Sequence, residues 1–381
     1  MTDRYITTRP ELVELCRQLQ SRDWIALDTE FIREKTYYPR LCLIQVADPG
    51  TVACIDPLAI DDLSPLWQVL FDQRIIKVFH SAGQDLEIIH QLTQRVPKPL
   101  FDTQLAATVL GHGEQIGYGP LVREVLGVEL DKSHSRTDWS QRPLEDGQLR
   151  YAADDVRYLR QLFPRLREEL ERRGRLEWLR DDFAELADPR RYRIRPEEAW
   201  RRVRGLQVLK GVQLNILQAL ADWRERQAMD LDRPRRWILG DEILLDLARR
   251  RPSDERQLGK IRGLESGNIR RFGATLLELI ARAGAEPRER WPRVVERPRL
   301  TPQQEALVDA MMALLRLLGQ DKAISPQTLA GRRELEQLVL GEETPVLHGW
   351  RAALAGDEIQ ALLRGERVLR VCNGKLVVEE D

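Results

Sequence analysis

The sequence has few cysteines, few aromatic residues and no long uninterrupted run of apolar residues. Of its 381 residues, four are Cys and 6% are aromatic. Cys16, Cys42, Cys54 and Cys372 show no C-x-x-C spacing, which argues against a disulfide framework or a zinc site and favours buried free thiols. Because no run of about 18 uncharged apolar residues is present, no membrane-spanning helix is predicted.

The first residues, "MTDRYITTRPEL", also lack the apolar centre of a signal peptide. The lack of a signal peptide and the free thiols together predict a cytoplasmic protein without membrane association. With 42% hydrophobic and 32% charged residues, the chain has the composition of a soluble globular protein. Its length predicts two or three domains rather than one.

The net charge of −1 hides a strong asymmetry along the chain. Residues 190–299 carry 27 Lys and Arg against 16 Asp and Glu, a balance of +11, so the rest carries −12. A basic region of this kind suits a polyanionic partner such as nucleic acid. The alternative is that arginine-rich helices simply keep this region solvated.

Short β-like runs alternate with helical patterns over residues 1–185. The first three runs are joined by connections too short for a helical crossover, so the central sheet is predicted to be mixed. Helices are predicted from Leu63 to Phe71 and from Gln84 to Leu92, and a longer one begins near Leu144. The runs predicted as strands are "WIALDTE", "LCLIQVAD", "TVACID" and "RIIKVFH". This succession predicts an α/β domain.

Beyond this domain the pattern is almost entirely helical. A proline-rich segment from Gly284 to Pro302 is typical of a linker. It separates two predicted all-α domains, at residues 205–284 and 300–381. Near the end of the chain, Asn373-Gly374 lies between two apolar runs and predicts a terminal β-hairpin.

The two helical segments resemble each other. They align with Gly240 on Gly331, an offset of 91 residues that also places Leu244 on Leu335. The match is short and imperfect, so both an internal duplication and chance likeness between two amphipathic helices explain it.

Acidic residues recur at a strand end, a helix start and a helix interior. Asp28 and Glu30 are two positions apart in a predicted strand, so their carboxylates share one face. Asp85 lies in the first turn of the helix after another strand, and Tyr151 and Asp155 share one face of a later helix. If these elements converge, four carboxylates and a phenol line one cleft. Hard oxygen ligands in that number suit Mg²⁺ or Mn²⁺, and a pair of such ions acts on phosphodiesters.

Each of these residues also has a simpler explanation. An Asp-x-Glu pair at a strand end can be a solvated rim, Asp85 can be a charge favoured by the helix macrodipole, and Tyr151 can be a packing residue. Asp154 precedes Asp155 and also lies near the face of Tyr151. The ordered combination is more specific than any single member.

Three segments together resemble the exonuclease motifs of the DEDD superfamily, in its tyrosine-bearing branch. They are "LDTEF", "HSAGQDLE" and "YAADDV". The longer stretches "TEFIREKTYYPRLCLIQVAD" and "DKSHSRTDWSQRPLEDGQLRYAADDVRYL" are similar to the ribonuclease D family. The resemblance covers residues 1 to about 180 and implies a ribonuclease H-like fold. The two helical segments resemble helicase-and-RNase-D C-terminal (HRDC) domains, the first more clearly than the second.

Position by position, the resemblance implies roles for five residues. Asp28, Glu30, Asp85 and Asp155 would hold two divalent metal ions, Mg²⁺ or Mn²⁺. Asp28 would bridge both ions, and the Tyr-x-x-x-Asp spacing of the motif selects Asp155 as the last ligand. Tyr151 would orient the attacking water, since a phenol with an ordinary pKa near 10 is a poor base at neutral pH.

Three further residues are candidate substrate contacts. Phe31 could stack on the 3′-terminal base, although a phenylalanine next to a strand can also be a core residue. His80 and Gln84 lie beside the acidic motif and could contact sugar or phosphate. Asp102 is predicted to cap the helix that begins at Thr103 rather than to bind metal.

The resulting expectation is a 3′→5′ exoribonuclease that releases nucleoside 5′-monophosphates from RNA, with tRNA precursors among its substrates and no obligate protein partner. A DNA exonuclease of the Werner or proofreading type is one alternative, because only contacts to the 2′-hydroxyl distinguish the two nucleic acids. A non-catalytic nucleic-acid-binding module is the other alternative.

Overall fold

The computed structural model describes residues 3–131, 133–134, 137–293 and 298–380. The chain divides into two compact units. The first is made of Met1–Phe31, Leu41–Tyr192 and Pro298–Asp381, and the second of Ile32–Arg40 and Arg193–Arg297. The three domain boundaries expected from the sequence stay a prediction. Part of the predicted linker, residues 294–297, lies outside the described residues.

A six-stranded sheet forms the centre of the first unit. Its strands are β1 (Arg4–Ile6), β2 (Trp24–Ile32), β3 (Arg40–Ala47), β4 (Val52–Ile55), β5 (Ile76–Phe79) and β6 (Leu100–Asp102). They lie in the order β1-β4-β3-β2-β5-β6. The pairs β1–β4, β2–β5 and β5–β6 are parallel, whereas β3 and β4 are antiparallel. The prediction of a mixed sheet is therefore confirmed.

Seven helices accompany this sheet in the described part of the chain up to Tyr192. They are α1 (Arg9–Leu19), α2 (Ser64–Leu70), α3 (Gly83–Thr93), α4 (Thr103–Leu110), α5 (Tyr118–Leu126), α6 (Asp146–Arg172) and α7 (Arg180–Leu186), with 3₁₀ turns at Leu176–Leu179 and Pro189–Arg191. Apolar residues of α1, α2 and α3 pack with those of the sheet in one core, as Leu15, Leu66 and Ile88 illustrate. Burial of this apolar surface is the main stabilising term.

The second unit is helical. It contains α8 (Val212–Asp230), α9 (Arg235–Ile238), α10 (Asp241–Arg250), α11 (Glu255–Leu258) and α12 (Ser266–Ala285), with 3₁₀ turns at Pro196–Arg202, Leu206–Val208 and Arg288–Arg290. Leu217, Leu244 and Leu276 are fully buried in its core. Tyr37, from the segment Ile32–Arg40, is buried in the same core, and its hydroxyl donates to Glu225.

The last part of the chain returns to the first unit. It contains α13 (Pro302–Lys322), α14 (Pro326–Leu329), α15 (Arg332–Val339), α16 (Gly349–Arg351) and α17 (Asp357–Arg364), a 3₁₀ turn at Pro345–Leu347, a π-helical turn at Ala352–Gly356, and the strands β7 (Arg367–Cys372) and β8 (Lys375–Glu380). Arg175 donates to the carbonyl of Lys322 at 2.7 Å, and the rings of Trp178 and Trp350 stack with centroids 5.2 Å apart.

The two helical segments share a local pattern. Gly240 precedes α10 and Gly331 precedes α15, while Leu244 and Leu335 are both fully buried. The pattern agrees with the offset of 91 residues, and a common origin of the two segments stays a prediction. The antiparallel pair β7–β8 turns at Asn373-Gly374, where both residues have positive φ, as the sequence predicts for this hairpin.

Among the described residues, no helix is both long enough and apolar enough to cross a membrane.

Candidate active site

Two elements, β2 and α6, bring three of the predicted acidic residues to one place. Asp28 and Glu30 lie in β2, after the buried run from Ile25 to Leu27, and Asp155 lies on α6. One carboxylate oxygen from each lies within 4.8 Å of the others, and all three side chains are partly buried. The strand period of two puts Asp28 and Glu30 on one face, and α6 supplies the third oxygen.

The structure distinguishes Asp155 from its neighbour Asp154. Asp154 forms an ion pair with Arg157, which also pairs with Asp3. Successive residues on a helix point about 100° apart, so only one of the two aspartates can face β2. That residue is Asp155, the one that the tyrosine spacing selects.

Asp85 approaches the acidic cluster from the start of α3. It is 6% exposed, and its Oδ1 accepts a hydrogen bond of 2.5 Å from the hydroxyl of Thr29. The start of α3 is fixed by Asp102, whose carboxylate accepts from the backbone N–H groups of Ser81 at 3.1 Å and Ala82 at 2.8 Å.

Asp102 also caps α4, as the sequence predicts. Its Oδ1 accepts from the backbone N–H groups of Gln104 at 2.8 Å and Leu105 at 3.3 Å. One carboxylate therefore satisfies donors at the starts of two helices, which is a structural role.

Crowding of these acids raises their pKa values. Loss of solvation is the largest cause at each residue, and repulsion from a neighbouring carboxylate adds to it, which for Asp85 is that of Asp102. The pKa of Glu30 rises to about 8, with Asp155 and Asp85 as its charged neighbours. The pKa values of Asp85 and Asp155 each rise to about 7, and that of Asp28 rises well above its usual range. Nearby positive charge would lower all four pKa values.

Tyr151 lies on α6 one turn before Asp155. Its ring centroid lies 6.1 Å from that of Trp139 and 6.3 Å from that of His134. Loss of solvation and the charges of Asp155, Glu30 and Asp28 raise the pKa of its phenol, so it stays protonated at neutral pH. A protonated phenol can donate a hydrogen bond to orient a water or a phosphate oxygen.

The three candidate substrate contacts have different surroundings. Phe31 is partly buried and packs against the core of the first unit, which was the alternative to base stacking. The ring nitrogens of His80 lie 3.0 Å from the hydroxyl of Thr103 and 3.1 Å from the carbonyl of Ile116. Both nitrogens of His80 thus have protein partners, whereas Gln84 is exposed. Their contacts with substrate stay predictions.

Sequence reasoning missed two residues that support the site. Thr29 lies between the two acids of β2, and its side chain points to the opposite face of the strand because side chains alternate. No sequence pattern therefore indicates its hydrogen bond to Asp85. Tyr118 donates its hydroxyl to the carbonyl of Asp154 at 2.9 Å, and its ring centroid lies 5.5 Å from that of His80. No motif marks Tyr118, because it reaches α6 only through the tertiary fold.

The donor set fits hard divalent cations. All the converging groups are carboxylates, without a sulfur or imidazole ligand among them. Three carboxylates this close repel one another, and a bound cation would relieve that repulsion. The same repulsion contributes to their raised pKa values. Mg²⁺ and Mn²⁺ both match an all-oxygen set of this kind.

Two family models match the chain. Residues 4–171 match the 3′-5′ exonuclease family, and residues 213–280 match the HRDC domain. The first match contains all of the converging acids. The second lies within the basic helical segment of the second unit.

Full-length relatives and a solved structure agree with these matches. A ribonuclease D from Sphingobium indicum is 42% identical over 97% of both chains, and one from Zymomonas mobilis is 43% identical over 98% of this chain and 97% of that protein. The crystal structure of Escherichia coli RNase D, described as an exoribonuclease involved in structured RNA processing, superposes with a TM-score of 0.84. It is 36% identical and covers 96% of this chain and 99% of its own. The chain therefore belongs to the ribonuclease D family of 3′→5′ exoribonucleases.

Proposed function

We propose that this protein hydrolyses RNA from its 3′ end and releases nucleoside 5′-monophosphates, using two divalent metal ions. The observation that carries the proposal is the convergence of Asp28, Glu30 and Asp155, whose oxygens lie within 4.8 Å of one another. The charge of Asp85 contributes to the raised pKa of Asp28, and Asp85 would complete the set of ligands. Bound divalent ions supply Lewis acidity, which makes water more acidic and stabilises charge on phosphate oxygens.

The protein side chains hold and orient the reacting groups. Asp28, Glu30, Asp85 and Asp155 would hold the metal ions, and Thr29 keeps the carboxylate of Asp85 in place through its hydrogen bond. The phenol of Tyr151 donates a hydrogen bond that orients the attacking water. Because its pKa is raised, Tyr151 does not take up the proton of that water.

The approach to Tyr151 is held by the loop that precedes α6. Arg142 donates to both oxygens of Asp56, at 2.6 and 2.8 Å, and to the carbonyl of Trp139 at 2.8 Å. A bidentate ion pair of this kind fixes the relative orientation of the two side chains as well as their distance. The loop thereby sets the position of Trp139, whose ring lies beside Tyr151.

The proposed substrates are RNA precursors with extra 3′ nucleotides, tRNA precursors among them. The relation to the Escherichia coli enzyme supports structured RNA as the substrate class. The balance of +11 over residues 190–299 supports a second contribution, in which the helical segment contacts phosphates and retains the RNA during trimming. A cytoplasmic site of action is part of the same proposal.

The proposal is tested with 5′-labelled RNA and DNA of the same sequence, incubated with Mg²⁺ or Mn²⁺ and with EDTA as the control. We expect stepwise shortening of the RNA from its 3′ end, and no shortening in EDTA. Faster loss of the DNA would instead identify a DNA exonuclease. Binding without cleavage under every metal condition would identify a non-catalytic module.

Asp28→Asn is the matched variant, because it removes one charge and keeps the shape of the side chain. We expect it to lose nearly all cleavage and to bind RNA as the wild type does, since the phosphate contacts lie elsewhere. Cleavage within about tenfold of wild type at limiting Mg²⁺ would contradict the role of Asp28 as a metal ligand.

A further inference from the structure

A cavity of about 770 Å³ lies within the second unit. Its lining combines the segment Ile32–Arg40 with residues of the helical segment. Its floor is built from paired charges: Arg224 lies 2.7 Å from Asp241, and Arg235 lies 2.5 Å from Glu225. Both arginines are paired with a carboxylate of the protein, so they do not contribute free positive charge to the cavity.

The wall formed by the segment Ile32–Arg40 is firmly held. Both Tyr37 and Tyr38 donate their backbone N–H groups to Oδ1 of Asp232, each at 3.0 Å. The ring of Tyr37 is buried, and the guanidinium of Arg235 lies 4.9 Å from its centroid. A wall fixed in this way does not have to be ordered when a ligand enters, which lowers the entropic cost of binding.

The lining of the cavity also contains arginines outside the paired floor, together with one exposed carboxylate, Glu34. Arg202 and Arg236 both line the cavity and are exposed, and neither forms an ion pair or a hydrogen bond with a described residue. Arg33 also lines the cavity, and its Nε donates to the carbonyl of Tyr37 at 3.2 Å, so among the described residues the positive charge of the rim rests on Arg202 and Arg236 alone. Guanidinium groups on a preformed rim suit phosphate oxygens, which they can bind with two hydrogen bonds.

An exposed indole lies at the same rim. Trp237 lines the cavity and is 55% exposed, which is unusual for the largest aromatic side chain. The guanidinium of Arg233 lies 5.6 Å from the centroid of its ring. An indole beside unpaired arginines offers the two surfaces that a nucleotide needs, a flat ring for the base and cations for the phosphates.

We propose that this cavity binds one nucleotide of the RNA substrate, with the base on Trp237 and the flanking phosphates at Arg202 and Arg236. The inference rests on the proposed function in taking RNA as the substrate. The inference goes further because it places RNA contacts of the basic segment in one preformed cavity, whereas the proposed function leaves them distributed over the surface. Stacking accepts any base, so the site is indifferent to sequence.

The test measures binding of the full-length protein to an unstructured, fluorescently labelled RNA by anisotropy, in EDTA so that the RNA stays intact. Trp237→Leu should weaken binding about 5- to 150-fold, the range expected for loss of one base–aromatic stack. Trp237→Phe keeps an aromatic ring and should stay within about threefold of wild type. Equal affinities of the Leu variant and the wild type would overturn the stacking role.

The arginines are tested through salt dependence. The double variant Arg202→Ala/Arg236→Ala should reduce the slope of log affinity against log salt by about 1.4, because each phosphate contact on single strands contributes about 0.7. Its matched control is Arg270→Ala/Arg282→Ala, which removes two exposed arginines from α12 in the same unit. Equal losses in the two double variants would mean diffuse electrostatic attraction and would overturn the localised site.

Cleavage of a short RNA oligonucleotide by the same variants separates this proposal from the proposed function. The cavity residues are not metal ligands, so the variants should retain cleavage while they lose affinity for longer RNA. If the wild type binds RNA through the cavity but cleaves nothing, the binding site stands and the proposed activity fails. If it cleaves RNA and the cavity variants bind normally, the activity stands and the cavity proposal fails.

Discussion

The hydroxyl of Thr29 donates a hydrogen bond of 2.5 Å to Oδ1 of Asp85. The two residues are 8% and 6% exposed, so no water competes easily for this bond. Thr29 lies between Asp28 and Glu30 on β2, whereas Asp85 lies on α3. The bond therefore ties the second acidic motif to the strand that bears the first.

Loss of this bond should impair catalysis without removing a metal ligand. Thr29→Val keeps the shape of the side chain and removes the donor, so Asp85 loses its orientation. We expect activity to fall about 10- to 100-fold, the usual effect of removing a partner that orients a ligand. Thr29→Ser restores the hydroxyl and should recover most of the activity. Single-turnover rates across a Mg²⁺ titration measure the effect, and a Val variant as active as wild type would contradict it.

The neighbouring aspartates of α6 should differ sharply in their mutational effects. Asp155 lies in the acidic cluster, whereas Asp154 pairs with Arg157. Asp155→Asn should therefore abolish most RNA cleavage, and Asp154→Asn should leave the rate within about fivefold, because it removes a partly exposed ion pair. Initial rates at saturating RNA compare the two. Similar losses in both variants would mean that the local ion pair also matters for the site.

Tyr151→Phe separates water orientation from packing. The variant keeps the ring beside Trp139 and removes only the hydroxyl. We expect turnover to fall by about 10- to 1000-fold, near the range for groups that position or transfer protons. The melting temperature should stay close to that of wild type. Parallel losses of rate and stability would indicate that Tyr151 acts through packing.

The acidic cluster should make the metal-free protein less stable as pH rises. The pKa of Glu30 is raised to about 8 and those of Asp85 and Asp155 to about 7, above ordinary carboxyl values near 4. Between these limits the folded state binds more protons than the unfolded state, so the free energy of unfolding falls with increasing pH. In EDTA, the contribution of the cluster to stability should therefore decrease from about pH 4 to about pH 8.

Calorimetry with and without Mg²⁺ isolates this effect from other titrating groups. Burial lowers the pKa of His80, which acts in the opposite direction because folding then disfavours its protonated form. The protonation of His80 changes the free energy of unfolding equally with and without Mg²⁺ only when it does not depend on metal binding. The Asp28→Asn variant therefore serves as a second control. Stabilisation by Mg²⁺ should be larger at pH 8 than at pH 5 and smaller in Asp28→Asn. Equal stabilisation at both pH values would contradict the assignment.

Local sequence patterns predicted the main elements because backbone geometry sets their period. The apolar run in "WIALDTE" predicted β2, and the spacing of Tyr151 and Asp155 predicted a shared face on α6. The strands β1 and β6 are three residues each, too short for a periodic signal, and the sequence did not indicate them. Their positions depend on pairing with distant strands.

By itself, the sequence determined which residue types could hold metal ions and in what order they occur along the chain. Only the tertiary structure decided that Thr29 fixes Asp85 and that Tyr37 is buried with Glu225 in the second unit. The physical reason is that periodicity follows from backbone geometry within a few residues. Contacts between residues 56 or 188 positions apart form only when the folded chain brings them together.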